Sequence, residues 1–186
     1  MYSIILASQS PRRRQILKDA GISFVSKAKD TEEGFPESMP KREVPIFLAK
    51  KKAEAFKAEL KINELIITAD TVVILNGEIL NKPSDRTEAI QMLQKLSGNR
   101  HEVVTGVCLT TLEKQVCFDD VTSVFFLPLS LEDITYYVDE FKPFDKAGSY
   151  GIQEYIGYIG IEKIEGSFFN VMGLPIHRVV KELRGF

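Results

Sequence analysis

Cysteine, histidine and long apolar runs are scarce in this chain. The only cysteines are Cys108 and Cys117 and the only histidines are His101 and His177. With neither a CxxC pair nor a partner set of histidines, the sequence argues against a zinc site. The histidines stand apart without a serine or cysteine partner pattern, so no nucleophilic triad is indicated and both read as structural. No stretch approaches the about 18 apolar residues of a membrane span, and Met1-Tyr2-Ser3-Ile4-Ile5-Leu6 lacks a basic leader. These absences predict a soluble cytoplasmic protein. In that setting the cysteines are expected as buried thiols, although they could face one another across a hairpin.

An excess of positive charge is missing too. Lysine and arginine total 24 against 26 acids, a net charge of −2, which argues against a protein that coats nucleic acid. Even the basic stretch 41–61 is interleaved with Glu43, Glu54 and Glu59 and has few aromatics for base stacking. GxxxxGK[ST] is absent, which disfavours a P-loop phosphotransferase. There is no repeat, low-complexity tract or linker, and 186 residues suit a single domain, 1–186.

What is present alternates short apolar runs with helical stretches, the pattern of an α/β protein. Residues 3–7 read as a buried strand and 11–19 as a helix stopped by Gly21, with a second strand over 22–25. A polar loop leads to Pro40, and apolar positions at Leu48, Ala49, Ala53, Phe56 and Leu60 mark one face of a helix over 44–60. Residues 65–75 are the most apolar element, and Asn76-Gly77 turns them into a short return strand. Ser84 is expected to cap a helix to Leu96, and a long hairpin over 102–126 turns near Glu113-Lys114. Ser130 caps the next helix. A glycine-containing loop at 147–151, a strand over 158–164 and a last helix over 175–183 complete the pattern.

Three consecutive arginines, Arg12, Arg13 and Arg14, fall in the first turn of the first helix, behind Ser10 as N-cap and Pro11 as first helical residue. The helix macrodipole disfavours cations there by about 0.3–1 kcal/mol each, so the arrangement makes sense around an anion such as a polyphosphate. Asp70 interrupts a run of β-formers, where an unpaired carboxylate costs several kcal/mol unless a cation or donor meets it. It could hold magnesium, act as general base for a water, or do both; an exposed acid at a bulge is the plainer alternative. Lys52 lies on the apolar stripe between Leu48 and Phe56, so it must either find an anion or snorkel to water. Lys82, beside Pro83, is a loop cation that could approach the same anion. Glu32 and Glu33 lie in a polar loop and could help hold a metal. Lys146 and Gln153 bracket the glycine loop, and the Gln153 amide offers the donor and acceptor that a pyrimidine edge requires.

The segments Leu6-Ala7-Ser8-Gln9-Ser10-Pro11-Arg12-Arg13, Leu48-Ala49 with Lys52-Ala53, Ala69-Asp70-Thr71-Val72-Val73, Lys82-Pro83, Leu96-Ser97-Gly98 with His101, Asp145-Lys146-Ala147-Gly148, Tyr150-Gly151-Ile152-Gln153 and Gly173-Leu174-Pro175 occur in this order. Together they resemble the Maf family, nucleoside triphosphate pyrophosphatases first associated with septum formation. The resemblance covers nearly the whole chain. It departs from the family at Asn81, where glycine is frequent, and in the bulkier run Ser167-Phe168-Phe169-Asn170-Val171-Met172.

The resemblance implies an elongated mixed β-sheet flanked by helices, similar to the inosine triphosphatases, with a cleft between two lobes. It implies cleavage between the α and β phosphorus atoms to a monophosphate and pyrophosphate. The cofactor would be a divalent metal, magnesium with manganese or cobalt as alternatives. Asp70 matches the family's proton acceptor, and Ser8, Arg12, Arg13, Lys52 and Lys82 match its phosphate-side residues. Glu33 lies near the position of an acid linked to the family's metal site, and Glu33 and Asp70 are the metal-binding candidates. Arg12, Thr71 and Gln153 resemble the specificity set of the branch acting on dTTP and UTP, which implies removal of surplus or modified nucleotides. A homodimer is consistent with the resemblance, and neither nucleic acid nor membrane is an expected partner. The competing class is a nucleotide-binding regulator of cell division without turnover.

Overall fold

Strand β1 (Ser3–Ala7) and helix α1 (Pro11–Asp19) form where the sequence places them, and α1 begins on the Ser10 cap with Pro11 at its first position. The computed structural model describes residues 2–186. Gly21, at φ +72°, closes α1: its amide donates to Lys18 O and the Ile22 amide donates to Leu17 O, each at 3.0 Å. This paired closure is the Schellman arrangement. It commits Ile22 to the helix end, which is why strand β2 (Phe24–Lys27) starts two residues later than expected.

Helix α2 (Val44–Lys57) follows a 3-10 turn at Lys41–Glu43 and stops short of Leu60. Strand β3 (Glu64–Leu75) and the short β4 (Glu78–Leu80) are joined by Asn76-Gly77, both at positive φ. Helix α3 (Arg86–Leu96) is capped by Asp85 rather than Ser84. Asp85 accepts from the Glu88 amide at 2.9 Å, while the Glu88 carboxylate accepts from the Ser84 amide and hydroxyl at 2.7 Å. The capping box thus starts one residue later than the sequence suggests. The expected hairpin is β5 (Arg100–Thr110) and β6 (Gln115–Phe126), and helix α4 (Leu131–Phe141) starts on Ser130.

The strand expected over 158–164 is split into helix α5 (Tyr155–Gly160) and strand β7 (Ile161–Glu165). Gly157 explains the helical half: a Cβ there would meet Ile152 O at 2.1 Å, so this turn packs on its own entry segment. A short helix α6 (Phe168–Val171), which carries no clear sequence signal, precedes α7 (Ile176–Leu183).

The strand order is β2-β1-β3-β5-β6-β7, with β4 paired to β3; β1 runs parallel to β2 and β3, and β4 and β7 pair antiparallel. This is a mixed seven-stranded sheet with helices. The chain divides into two compact units. The first holds the chain up to Thr71, Thr105–Asp120 and Gly173–Phe186; the second holds Val72–Val104 and Val121–Met172. In the first, Ile5, Ala7 and Ile66 pack with Phe56 and Leu60. The core of the second gathers Leu93, Leu96, Phe126, Ile134, Tyr137, Tyr150 and Ile156. No helix among the described residues is long and apolar enough to cross a membrane.

The cysteines depart from expectation. Cys108 and Cys117 form a disulfide, with Cα atoms 4.2 Å apart. They lie on the two strands of one hairpin, at the separation of directly facing residues whose side chains approach closely. Cys108 is fully buried against Ala49 and Ala53 of α2.

Candidate functional site

In the first unit Asp70 lies on β3 and is 9% exposed, between the buried Ala69 and the partly buried Thr71. Its partner is set by how α2 is fixed. The buried Thr68 hydroxyl donates to Ala49 O at 2.7 Å, tying α2 to β3. At Gly106 of β5 a Cβ would meet Ile46 N at 2.3 Å and Pro45 C at 2.4 Å, so only glycine lets the start of α2 lie this close. Lys52, one turn after Ala49, then reaches Asp70 Oδ1 at 2.5 Å and Glu33 Oε1 at 2.8 Å. The lysine on the apolar stripe has found anions, and they belong to its own chain. Glu32 instead sits 3.5 Å from Lys51.

The start of α1 lies in the same unit. The Ser10 hydroxyl accepts from the Arg13 amide at 3.4 Å, and Ser8 Oγ accepts from the Ser10 amide at 3.2 Å. The first turn contains no acid, so its amides and Arg12 are opposed by no carboxylate from the turn itself. Arg13 turns inward: Nε donates to Gly173 O at 2.7 Å, Nη1 to Ala69 O at 2.9 Å, and Nη2 to Thr71 Oγ1 at 3.0 Å. Burial lowers the Arg13 pKa from the usual arginine value, the negative charge of Asp70 opposes this, Arg12 lowers it further and Glu33 raises it. The first unit therefore brings together Ser8, Arg13, Glu33, Lys52, Asp70 and Thr71 through direct contacts, with Arg12 close enough for its charge to act on Arg13.

The second unit holds the other two expected residues. Lys82 is exposed, and its neighbour Asn81 accepts from the Gly148 amide at 3.2 Å, tying the Lys82 loop to the glycine loop. Gly148 is at φ +68°, and a Cβ would lie 3.0 Å from both Val73 methyls. Gln153 Oε1 is buried without a hydrogen-bond partner, and so is Ser149 Oγ.

Beneath this loop the buried Lys146 ammonium sits 2.7 Å from Asp145 and 3.2 Å from Glu154. The Tyr137 hydroxyl donates to Glu154 and accepts from the Gly151 amide at 3.0 Å. Sequence reading singled out Lys146 but not Glu154, Tyr137 or Ser149. Glu154 beside Gln153 was the available signal, since an acid next to a glycine loop needs a partner.

His101 is structural, as expected. Its Nε2 pairs with Tyr150 Oη at 2.7 Å, and burial pushes its pKa down to about 3. His177 is largely exposed, 3.8 Å from Asp120.

No group of three or more histidine, cysteine, aspartate or glutamate side chains among the described residues is arranged to hold a metal. The donors present are the Asp70 and Glu33 carboxylates. Both direct an oxygen at one cation, the Lys52 ammonium, so their chemistry fits a hard divalent ion that takes its remaining ligands from water and phosphate.

Residues 3–186 match the family described as Maf-like protein. The chain belongs to the Maf-like family. Maf relatives named dTTP/UTP pyrophosphatase include one from Bacteroides fragilis, 50% identical over 98% of this chain and 95% of its own length. Another, from Cytophaga hutchinsonii, is 52% identical over 97% of this chain and 82% of its own length. Among solved structures, the Ham1 protein of Staphylococcus aureus aligns over 98% of both chains with a TM-score of 0.56 and 19% identity. That likeness concerns the fold, and it agrees with the mixed sheet and helices of the Maf chain.

Proposed function

We propose that this Maf chain hydrolyses the α–β phosphoanhydride of dTTP and UTP, releasing the nucleoside monophosphate and pyrophosphate. The chain is an enzyme, a hydrolase of phosphoanhydride bonds. The observation that carries the chemistry is the mostly buried Asp70, held by Lys52 in the same unit as the acid-free, arginine-bearing start of α1. The names of relatives about 50% identical over nearly the whole chain support the cleavage position and the bases.

Asp70 accepts the proton of the attacking water. Lys52 orients the carboxylate, and Ser8, Arg12 and the amides of the first turn of α1 bind phosphate oxygens. Lys82 adds a phosphate-side cation. Asp70 and Glu33 would hold a divalent metal, magnesium foremost, which when bound neutralises part of the triphosphate charge. Gln153 reads the base. Its buried acceptor needs an N–H, and thymine and uracil share one at N3. Such an activity would clear surplus or modified pyrimidine nucleotides.

Asp70→Asn tests the assignment. Nucleotide binding should persist while release of pyrophosphate falls at least about 10²-fold, the lower range for losing a general base. Wild-type turnover by this variant would remove Asp70 from the mechanism. Saturable binding of dTTP by the wild-type chain with no product would favour a regulator that reads nucleotides without cleaving them.

A further inference from the structure

Arg13 has little of its guanidinium left for a substrate. Four of its N–H groups are directed at protein acceptors: Gly173 O, Ala69 O, Thr71 Oγ1 and, more distantly at 3.4 Å, Ser8 Oγ. A guanidinium has five. Two of those acceptors belong to the residues on either side of Asp70. We infer that Arg13 is a positioning residue, with Gly173 and Thr105 as parts of the same device, which anchors β3 on both sides of Asp70 instead of binding phosphate. The inference rests on the reading of Asp70 as the working acid.

The need for such an anchor follows from the sheet. The paired register of β1 with β3 ends at Leu6 opposite Ile67, and the Ala69 carbonyl, two residues past it, accepts from Arg13. A buried carbonyl left without a donor would cost about 1–3 kcal/mol, so the guanidinium does there what a strand amide does elsewhere. On the other side of Asp70, Thr71 Oγ1 accepts from Arg13 and lies 2.9 Å from Thr105 Oγ1, which is fully buried on β5. The Thr71 hydroxyl is thereby engaged inside the protein.

Gly173 completes the anchor from the distant end of the chain. It is at φ +105°, a backbone conformation that side-chain-bearing residues rarely adopt, and this conformation aims the carbonyl at Nε. One planar fork therefore spans three segments, a task for which lysine, a single point donor, has no equivalent geometry.

Misplacing a reacting group by about 1 Å costs roughly 10²-fold in rate. Arg13→Lys is therefore expected to lower kcat on dTTP by about 10²-fold with KM changed less than about twofold. Thr105→Val, which keeps the volume and removes one hydroxyl, should give a smaller kcat loss, again at unchanged KM. A residue that binds phosphate would behave in the opposite way, with Arg13→Lys retaining kcat and raising KM, and that result would overturn the inference.

A readout independent of turnover is the 15N NMR spectrum of the arginine side chains. In nucleotide-free protein the Arg13 Nη resonances should be separate and slowly exchanging, and they should stay in place when α,β-imido-dTTP with magnesium is added, while those of Arg12 move. Freely averaging Arg13 Nη signals, or a shift of Arg13 on addition of the analogue, would also overturn it. A chain that cleaves no nucleotide yet shows locked Arg13 resonances would sink the activity assigned to Asp70 while supporting the anchor, so the two failures are distinguishable.

Discussion

Replacing Lys52 with methionine strands Asp70, and the size of the effect can be worked from the exposure of each partner. The side chains of Lys52 and Asp70 are 17% and 12% exposed, whereas Glu33 is 48% exposed. The Glu33 contact therefore behaves as a surface pair, contributing at most about 1 kcal/mol. The Asp70 contact is largely desolvated, and removing one partner of such a pair costs about 3–5 kcal/mol because the other charge stays buried. Asp70 keeps the charge of Arg13 nearby, which places Lys52→Met at the lower end, about 3 kcal/mol. For a chain of this length that is a fall in Tm of about 6–12 °C. Combining it with Asp70→Asn leaves neither charge stranded and should recover more than half of the loss. Urea denaturation of the wild type, both single variants and the double variant gives the coupling, expected at about 2 kcal/mol. A coupling below about 0.5 kcal/mol, the scatter of independent sites, would refute a buried Lys52–Asp70 partnership.

Gly106→Ala should cost more than about 3 kcal/mol, because its Cβ overlaps backbone atoms of Pro45 and Ile46 rather than a movable side chain. Near-wild-type urea denaturation would contradict that close packing. His101, held neutral down to about 3 against 6.5 unperturbed, takes up its proton only in the unfolded chain between those values. Stability should therefore fall on acidification from about pH 6.5 toward 3, by about 1.4 kcal/mol per pH unit, and His101→Gln should flatten that slope in pH-dependent denaturation. Thiol titration of unreduced, denatured protein should find no free cysteine, and dithiothreitol should lower stability by about 2–3 kcal/mol for so short a loop. Two titratable thiols without reductant would contradict the disulfide.

Much of this architecture was legible because its signals are local. Ser10-Pro11 and Gly21 bound α1, Asn76-Gly77 sets the β3–β4 hairpin, and Ser130 starts α4, each by chemistry within a few residues. The acid in the strand and the lysine on an apolar stripe were legible as needs, an unpaired charge requiring a partner. That each is the other's partner depends on Thr68 and Gly106 holding α2, which is tertiary information. Arg13 shows where sequence reading stops. The helix start says that an arginine there wants acceptors, but the Gly173 carbonyl is 160 residues away and the Ala69 carbonyl carries no side-chain signal. The cysteines are legible as a possible facing pair, but whether they bond depends on the hairpin register that brings their Cα atoms to 4.2 Å, which no residue-level signal carries. The end of the helical turn Tyr155–Gly160 falls where the sequence predicts the start of a strand over 158–164, because Gly157's close approach to Ile152 cannot be seen in an apolar run.

The central claim is the bond that is cleaved and the bases that are accepted. Phosphorus NMR of the products formed with magnesium from dTTP, UTP, CTP, GTP, ATP and 7-methyl-GTP tests both at once. Monophosphate and pyrophosphate from dTTP and UTP, with little from the others, is the predicted result. Diphosphate with inorganic phosphate, or no product from any of the six, would contradict it.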